Sequence, residues 1–329
     1  MRAQIIRQFG EADVFESAEL FDPVAGSGQV VVKIAAASVN PVDYKIRRKG
    51  GAIAPALPAV LGCDMAGIVV SVGEGVTSFA VGDAVYGCVG GVRGLPGAYA
   101  EYIAADAQLL APAPKSLALR EAAALPLVTI TAWEALFDRA DLKAGESVLI
   151  HGGAGGVGHV AVQLAKARGA KVCTTVSSAR KAEIARSLGA DVTIDYRAEA
   201  VDAYVQRLTG GQGFDVVFDA TGGKDLVNAF AAARLNGRVV TIVSQYECDL
   251  SLMHRKGLSL HVVFMLIPML HDLGRAHHGE ILREAAALVE AGKLRPLIDP
   301  AHFTLAQVAD AHRHLESGHA LGKVVVDAA

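Results

Sequence analysis

Short Val-rich runs broken by Gly and Pro dominate the first third of the chain: "QVVVKIAAASVN" (29–40), "GIVVSVGEGV" (67–76) and "GDAVYGCV" (82–89). Such runs predict the strands of a small twisted barrel or sandwich. The opening "MRAQIIRQFG" also reads as a strand. In "LREAAALPLVTITAWEALFDRA" (119–140) the period changes, and apolar residues recur at helical spacing with an interruption at Pro126. From residue 147 strand and helix patterns alternate. "SVLIHG", "KVCTTV", "DVTIDY", "FDVVFDAT", "GRVVTIV" and "LSLHVVF" read as strands. Helices are predicted over "GVGHVAVQLAKARG", over "ARKAEIARSLG", near 198–208 and near 224–234. Six strands with helices between them predict a doubly wound parallel sheet.

The longest apolar stretch, "LSLHVVFMLIPML" (258–270), contains His261 and Pro268. It is shorter than the ~20 residues that cross a bilayer, and it reads as buried strand. Two helices follow. The first carries Ile281, Leu282, Ala285, Leu288 and Val289 on one face, and the second opens on Thr304 and Gln307 at capping-box spacing. A last strand, "GKVVVDA", is expected to return to the first domain. The predicted organisation is thus α/β: a β-rich domain over 1–121, a six-stranded domain over 122–268, and a returning segment over 269–329.

Composition narrows the function classes. A net charge of −3 with no basic block lacks the footprint of a nucleic-acid binder. No apolar signal core opens the chain, and Cys63, Cys88, Cys173 and Cys248 are widely spaced with no CxxC. Both features predict a cytoplasmic protein with reduced thiols and no membrane partner.

"SVLIHGGAGGVGHVAVQLAKA" holds Gly153, Gly155 and Gly158 in G-x-G-x-x-G spacing, after a buried strand and at the start of a helix. That context marks a dinucleotide loop: the glycines permit a tight turn, close approach of a pyrophosphate and helix–strand packing. The phosphates meet the N–H groups at the helix start. An NAD site usually places an acid at the end of the second strand, to accept from the ribose 2′-OH. Here that strand ends at Ser177 and Ser178, followed by Arg180 and Lys181, which can neutralise a 2′-phosphate. NADPH is the expected cofactor.

"PAVLGCDMAGIVVSVGEGVTSFAVGDAVYG", "GAYAEYI", "ALPLVTITAWEAL" and "LKAGESVLIHGGAGGVG" together resemble the medium-chain dehydrogenase/reductase superfamily. They are similar to its zinc-free quinone oxidoreductase and enone reductase branch, and the resemblance covers essentially the whole chain. It implies a GroES-like β-rich catalytic domain in two segments around a Rossmann NADP-binding domain. Zinc-dependent relatives carry Cys where this chain has Asn40 and a His-Glu pair where it has Cys63-Asp64, and their third ligand falls near "PLVTI", which offers none. A catalytic zinc needs about three protein ligands, so no metal is expected. Cys63 then reads as a small buried residue and Asp64 as a structural acceptor. His277-His278 and His312-x-His314 are expected at a solvated surface.

Zinc acts on carbonyls as a Lewis acid. Without it, acceptors that delocalise charge themselves are favoured, and the expected substrate is a quinone or an α,β-unsaturated carbonyl. The resemblance carries Asn40 of "NPVD" to the nicotinamide and substrate. Tyr44 and Lys45 each offer a proton to an enolate oxygen, or else serve packing and surface charge. Cofactor contacts carried over are Thr129, Gly155, Gly156, Val157, Ser177 and Lys181. Tyr196 joins them near the 2′-phosphate or adenine, and Val243, Ser244, Phe264 and Met265 flank the nicotinamide. Lys323 occupies a position that often faces the cofactor, or is a plain strand-edge lysine. Family habit implies a homodimer. Two alternatives stay open: a zinc-type alcohol dehydrogenase, and a non-catalytic NADPH-binding sensor or partner protein.

Overall fold

The computed structural model describes residues 1–328 except Lys224 and Tyr246. It divides into two units, residues 1–130 with 266–329, and residues 131–265. The hydrophobic pattern sets these joins after 121 and after 268.

In the first unit the strands are β1 (Arg2–Ile6), β2 (Phe15–Glu19), β3 (Gln29–Val39), β4 (Ala59–Val60), β5 (Asp64–Val72), β6 (Ala84–Cys88), β7 (Tyr102–Asp106) and β8 (Leu110–Pro112), with the Val-rich runs supplying β3, β5 and β6. Helix α1 (Pro41–Lys49) starts directly after β3. Pro41 sits at its first turn, where a missing N–H costs nothing, and the Asp43 carboxylate accepts from the Asn40 backbone N–H at 2.8 Å. Gly50, at φ +63°, ends the helix. The predicted 119–140 helix is α2 (Leu119–Ala122) and α3 (Pro126–Trp133), the second continuing as a π-turn over Glu134–Arg139.

The second unit holds β9 (Ser147–Ile150), β10 (Lys171–Val176), β11 (Val192–Asp195), β12 (Phe214–Asp219), β13 (Ala233–Thr241) and β14 (Ser259–Val262). Helices α4 (Gly156–Ala167), α5 (Ala179–Ser187), α6 (Val201–Thr209), α7 (Asp225–Ala232) and α8 (Ser251–Lys256) lie between them. The spatial order is β11-β10-β9-β12-β13-β14, with every neighbouring pair parallel. This is the doubly wound arrangement, with its switch point beside β9. Residues Gly158 to Ala165 of α4 are all buried, as befits a helix apolar nearly all round. Leu149, Phe214, Val217, Phe230 and Val239 form part of one core against the sheet.

The 258–270 stretch differs from its expected form as one buried strand. Only Ser259–Val262 is strand, and it is the sheet's last, so its residues are half-buried or exposed. Ile267–His271 is instead a short helix, α9, with Pro268 tolerated in its first turn. Helix α10 (Ala276–Glu290) follows, then β15 (Phe303–Thr304), α11 (Val308–Glu316) and β16 (Val324–Asp327). The Thr304 N–H does bond the Gln307 side chain, at 3.0 Å.

The returning β16 pairs antiparallel with β3, placing Val324 opposite Val39. It completes a seven-stranded sheet, ordered β15-β16-β3-β5-β6-β8 with β7 also on β3; β2, β1 and β4 form a separate three-stranded sheet. Among the described residues no helix is long and apolar enough to cross a membrane.

Candidate functional site

In the second unit a cavity of about 630 Å³ opens over the C-terminal ends of β9 and β10. Gly155, Gly156, Val157, Ser177, Lys181 and Tyr196 line it. Gly152 turns the chain at φ +74°, a conformation that suits only glycine comfortably. A Cβ on Gly153 would collide with Thr174 Oγ1, and one on Gly158 with the Gly152 carbonyl. At Gly158, therefore, backbone packs on backbone, and the first-turn N–H groups of α4 have no intrahelical partners. A loop of this build fits a pyrophosphate. Tyr196 is half exposed at the rim, and Ser178 caps α5 by accepting from the Lys181 N–H.

His151, Thr221 and Asn228 also line the cavity, and the sequence reading does not include them. Asp219 at the end of β12 accepts from the Gly222 and Thr221 N–H groups and from the Thr241 hydroxyl. Burial pushes its carboxyl up, but His151 at 3.5 Å and these donors outweigh it and hold it below the usual range. Val243, Ser244, Phe264 and Met265 follow the ends of β13 and β14, outside this lining.

The first unit buries a polar cluster where β3, β5 and β16 run side by side. The register that sets Val324 opposite Val39 brings Lys323 to Asn40. The Lys323 ammonium, only 2% exposed, donates to Asn40 Oδ1, reaches the Val39 carbonyl at 3.2 Å and lies 3.4 Å from Asp64 Oδ2. This overturns the strand-edge alternative for Lys323. Asn40 Nδ2 donates to Asp64 Oδ2 at 2.8 Å. Asp64 also accepts from the Ser38 hydroxyl and from the Leu127 N–H, both at 2.9 Å. It is thus the structural acceptor that the sequence suggests.

These donors do not suit a zinc ion. Both Asp64 oxygens are committed, and an ammonium already lies among them. Cys63 is fully buried and donates its thiol proton to Asp43 Oδ1 at 3.1 Å. Its hydrogen bond with Cys88 and its burial push the thiol well above the ordinary value.

Tyr44 and Lys45 lie on α1, the first half-buried and the second exposed. Burial, and then Glu316, raise the Tyr44 phenol and keep it protonated. Thr129 is fully buried, and its hydroxyl has no hydrogen-bond partner among the described residues.

Two histidines expected at the surface are fully buried, His278 and His312. Helix α11 turns His312 inward, where Tyr99 OH lies 3.1 Å from Nε2 and Arg47 Nη1 3.1 Å from Nδ1. Desolvation, reinforced by Arg47, holds this imidazole down to about 3 and therefore neutral. A single polar residue on an amphipathic helix gives no sign in sequence of which partner it will find.

Residues 26–115 match the family description "Alcohol dehydrogenase GroES-like domain", and residues 188–326 match "Zinc-binding dehydrogenase". The chain is 36% identical over 334 residues to the NADPH-dependent alkenal/one oxidoreductase, chloroplastic, of Arabidopsis thaliana, covering 99% of this chain and 79% of that protein. A solved structure of an alcohol dehydrogenase superfamily protein from Novosphingobium aromaticivorans superposes with a TM-score of 0.95 at 43% identity, covering 100% of both chains. Escherichia coli quinone oxidoreductase, solved with NADPH, superposes with a TM-score of 0.88 at 28% identity, also over 100% of both chains.

Proposed function

The chain belongs to the medium-chain dehydrogenase/reductase superfamily, in its zinc-free quinone oxidoreductase and enone reductase branch, and we propose that it reduces quinones or α,β-unsaturated carbonyls with NADPH and without a metal. The observation that carries this reading is the buried Lys323–Asn40–Asp64 cluster, in which a fixed ammonium and an amide replace the donors a zinc ion would need. The relative from Arabidopsis is named for NADPH and for alkenals and enones, which supports the substrate class.

When bound, NADPH supplies the hydride. The glycine loop of Gly155, Gly156 and Val157 holds the pyrophosphate, and Ser177, Lys181 and Tyr196 face the 2′-phosphate end. Thr129, Val243, Ser244, Phe264 and Met265 are assigned to the nicotinamide half, the Thr129 hydroxyl because no described residue bonds it. Asn40 is completely buried and bonded at both ends of its amide. It therefore acts by shaping the backbone at the start of α1, with Lys323 holding it in place. Tyr44 is assigned the proton donor's part, because its phenol stays protonated and only half-buried; exposed Lys45 is the second donor to test.

Reduced, separate cysteines suit a cytoplasmic site, and the exposed flank of β14 supports a homodimer formed by sheet extension.

Oxidation of NADPH and of NADH, followed by absorbance in chelator-treated buffer, tests the proposal. A quinone and an α,β-unsaturated ketone are expected to turn over with NADPH, and a saturated aldehyde is not. Aldehyde turnover abolished by chelator would instead make the protein a zinc-type alcohol dehydrogenase. Tight NADPH binding without turnover would make it a sensor. Lys181→Ala is expected to raise the KM for NADPH about tenfold, the effect of a lost charge-assisted contact of ~1.5 kcal/mol, and to leave the KM for NADH unchanged. Equal effects on both cofactors would remove Lys181 from the phosphate site.

A further inference from the structure

A second set of buried polar groups in the first unit adjoins Asn40 but has been given no role above. Asp43, Arg47, Tyr99 and His312 are each no more than 1% exposed. They come from α1, from the loop before β7, and from α11, and they form one continuous string. Arg47 holds Glu316 through two bonds, at 2.9 and 3.0 Å, and its Nη1 also faces His312 Nδ1. His312 Nε2 faces Tyr99 OH, and Tyr99 OH donates to Asp43 Oδ2 at 3.2 Å.

Chemistry gives the string one direction. A guanidinium has only donors, so His312 Nδ1 must be the accepting nitrogen. In the neutral ring Nε2 then carries the hydrogen and donates to the Tyr99 oxygen. The Tyr99 proton is left for Asp43. Asp43 therefore receives three donors: Tyr99, the Cys63 thiol and the Asn40 backbone N–H. The last of these shapes the turn from β3 into α1.

The rest of the structure conserves this line of contacts. The Tyr99 ring lies over Gly62, where a Cβ would stand 2.7 Å from its Cε1, at a φ of +98°. Phe15 packs edge-on against both rings. The other titratable groups facing Asp43 are Asp64, Cys88 and Lys323. Asp64 disfavours the carboxylate and Lys323 favours it.

We infer that Tyr99 and His312 are positioning residues for the reduction: with the tautomer of His312 set by Arg47, they hold Asp43 as a three-donor carboxylate, and through it the Asn40 turn. The inference rests on the reductase reading. Burial, opposed by Cys63 and Asn40, raises the Asp43 carboxyl to about 6. Turnover that needs the carboxylate therefore falls away as pH drops below about 6. Removing one donor to a charged group moves such a carboxyl upward by about one pH unit.

The test compares Tyr99→Phe, His312→Leu and His312→Gln with the parent, in NADPH-dependent enone turnover against pH and in urea unfolding against pH. In Tyr99→Phe and His312→Leu the acid limb of turnover is expected about one unit higher. In His312→Gln it should return toward the parent position, because the amide accepts at one end and donates at the other. Unfolding carries an independent sign. The folded chain binds a proton at Asp43 that the unfolded chain releases between about 4 and 6, so this carboxyl makes stability fall as pH rises through that window. In the difference between Tyr99→Phe and the parent, the window's upper edge should move up by the same unit. Variants that lose stability while the acid limb stays fixed would show packing alone and overturn the inference. A His312→Gln limb as displaced as that of His312→Leu would overturn it as well. A parent with no turnover of any acceptor would remove the reductase reading itself, and the unfolding difference would still report whether the string holds Asp43.

Discussion

Lys323→Met is expected to cost about 3–5 kcal/mol of folding stability, the usual penalty for leaving one partner of a buried ion pair unpaired. Asp64 would keep its bonds from Ser38, Asn40 and Leu127 but lose the ammonium 3.4 Å away. Asn40 Oδ1 would lose its only described donor in the same step. Methionine fills much of the lysine's volume, so the loss reports charge and hydrogen bonding rather than a cavity. The pairing can be isolated with Asp64→Asn. If the two charges stabilise each other, the double variant will be less destabilised than the two single losses added together. Urea unfolding of the four proteins measures this. Full additivity would mean that Lys323 acts through Asn40 and the Val39 carbonyl alone. On the reductase reading, turnover of Lys323→Met should fall further than its NADPH binding, because the cluster shapes the start of α1 and lies in a different unit from the cavity of the glycine loop.

Gly158→Ala is expected to weaken NADPH binding about 10- to 100-fold. The added Cβ points at the Gly152 carbonyl, and the loop must move to relieve the overlap. Overpacking of this kind costs about 1–3 kcal/mol, and tenfold in affinity corresponds to ~1.4 kcal/mol. Titration of NADPH fluorescence reads the affinity, and a thermal melt reads the fold. Gly155→Ala is the control, because a Cβ there meets only the Gly152 carbonyl at 3.2 Å, and Gly155 has an extended backbone. If Gly158→Ala binds NADPH as the parent does, the loop is not the pyrophosphate site.

Much of the second unit is legible locally. Most of its strands contain a short apolar run bounded by turn residues, and the loop glycines stand where a side chain would crowd Thr174 or the Gly152 carbonyl. These are properties of neighbouring residues, so periodicity and spacing report them. The 258–270 stretch shows the limit of this reading. An apolar run does not say where a strand stops, and position at the sheet's edge, which decides exposure, depends on which strands pair.

The first unit's chemistry was less legible. Asn40, Cys63 and Asp64 stand out in the sequence because of the motifs around them, and the resemblance to zinc-dependent relatives implies that a third zinc ligand is missing. That Cys63 keeps its proton follows only from its packing against Cys88 and Asp43. Lys323 and His312 give no such signal, since a lysine before a strand and a histidine in a helix are ordinary surface residues. Their positions come from long-range pairing: the register of β16 on β3 for Lys323, and the face that α11 turns toward α1 for His312.

The sequence by itself determined the alternation of strands and helices around residues 147–241 and the dinucleotide loop, because each is written in adjacent residues or in a fixed spacing. Only the tertiary structure decided which polar residues are buried and what they bond. An ammonium enters a core only where other parts of the chain supply its acceptors, and those parts meet only once the last strand has returned to the first sheet.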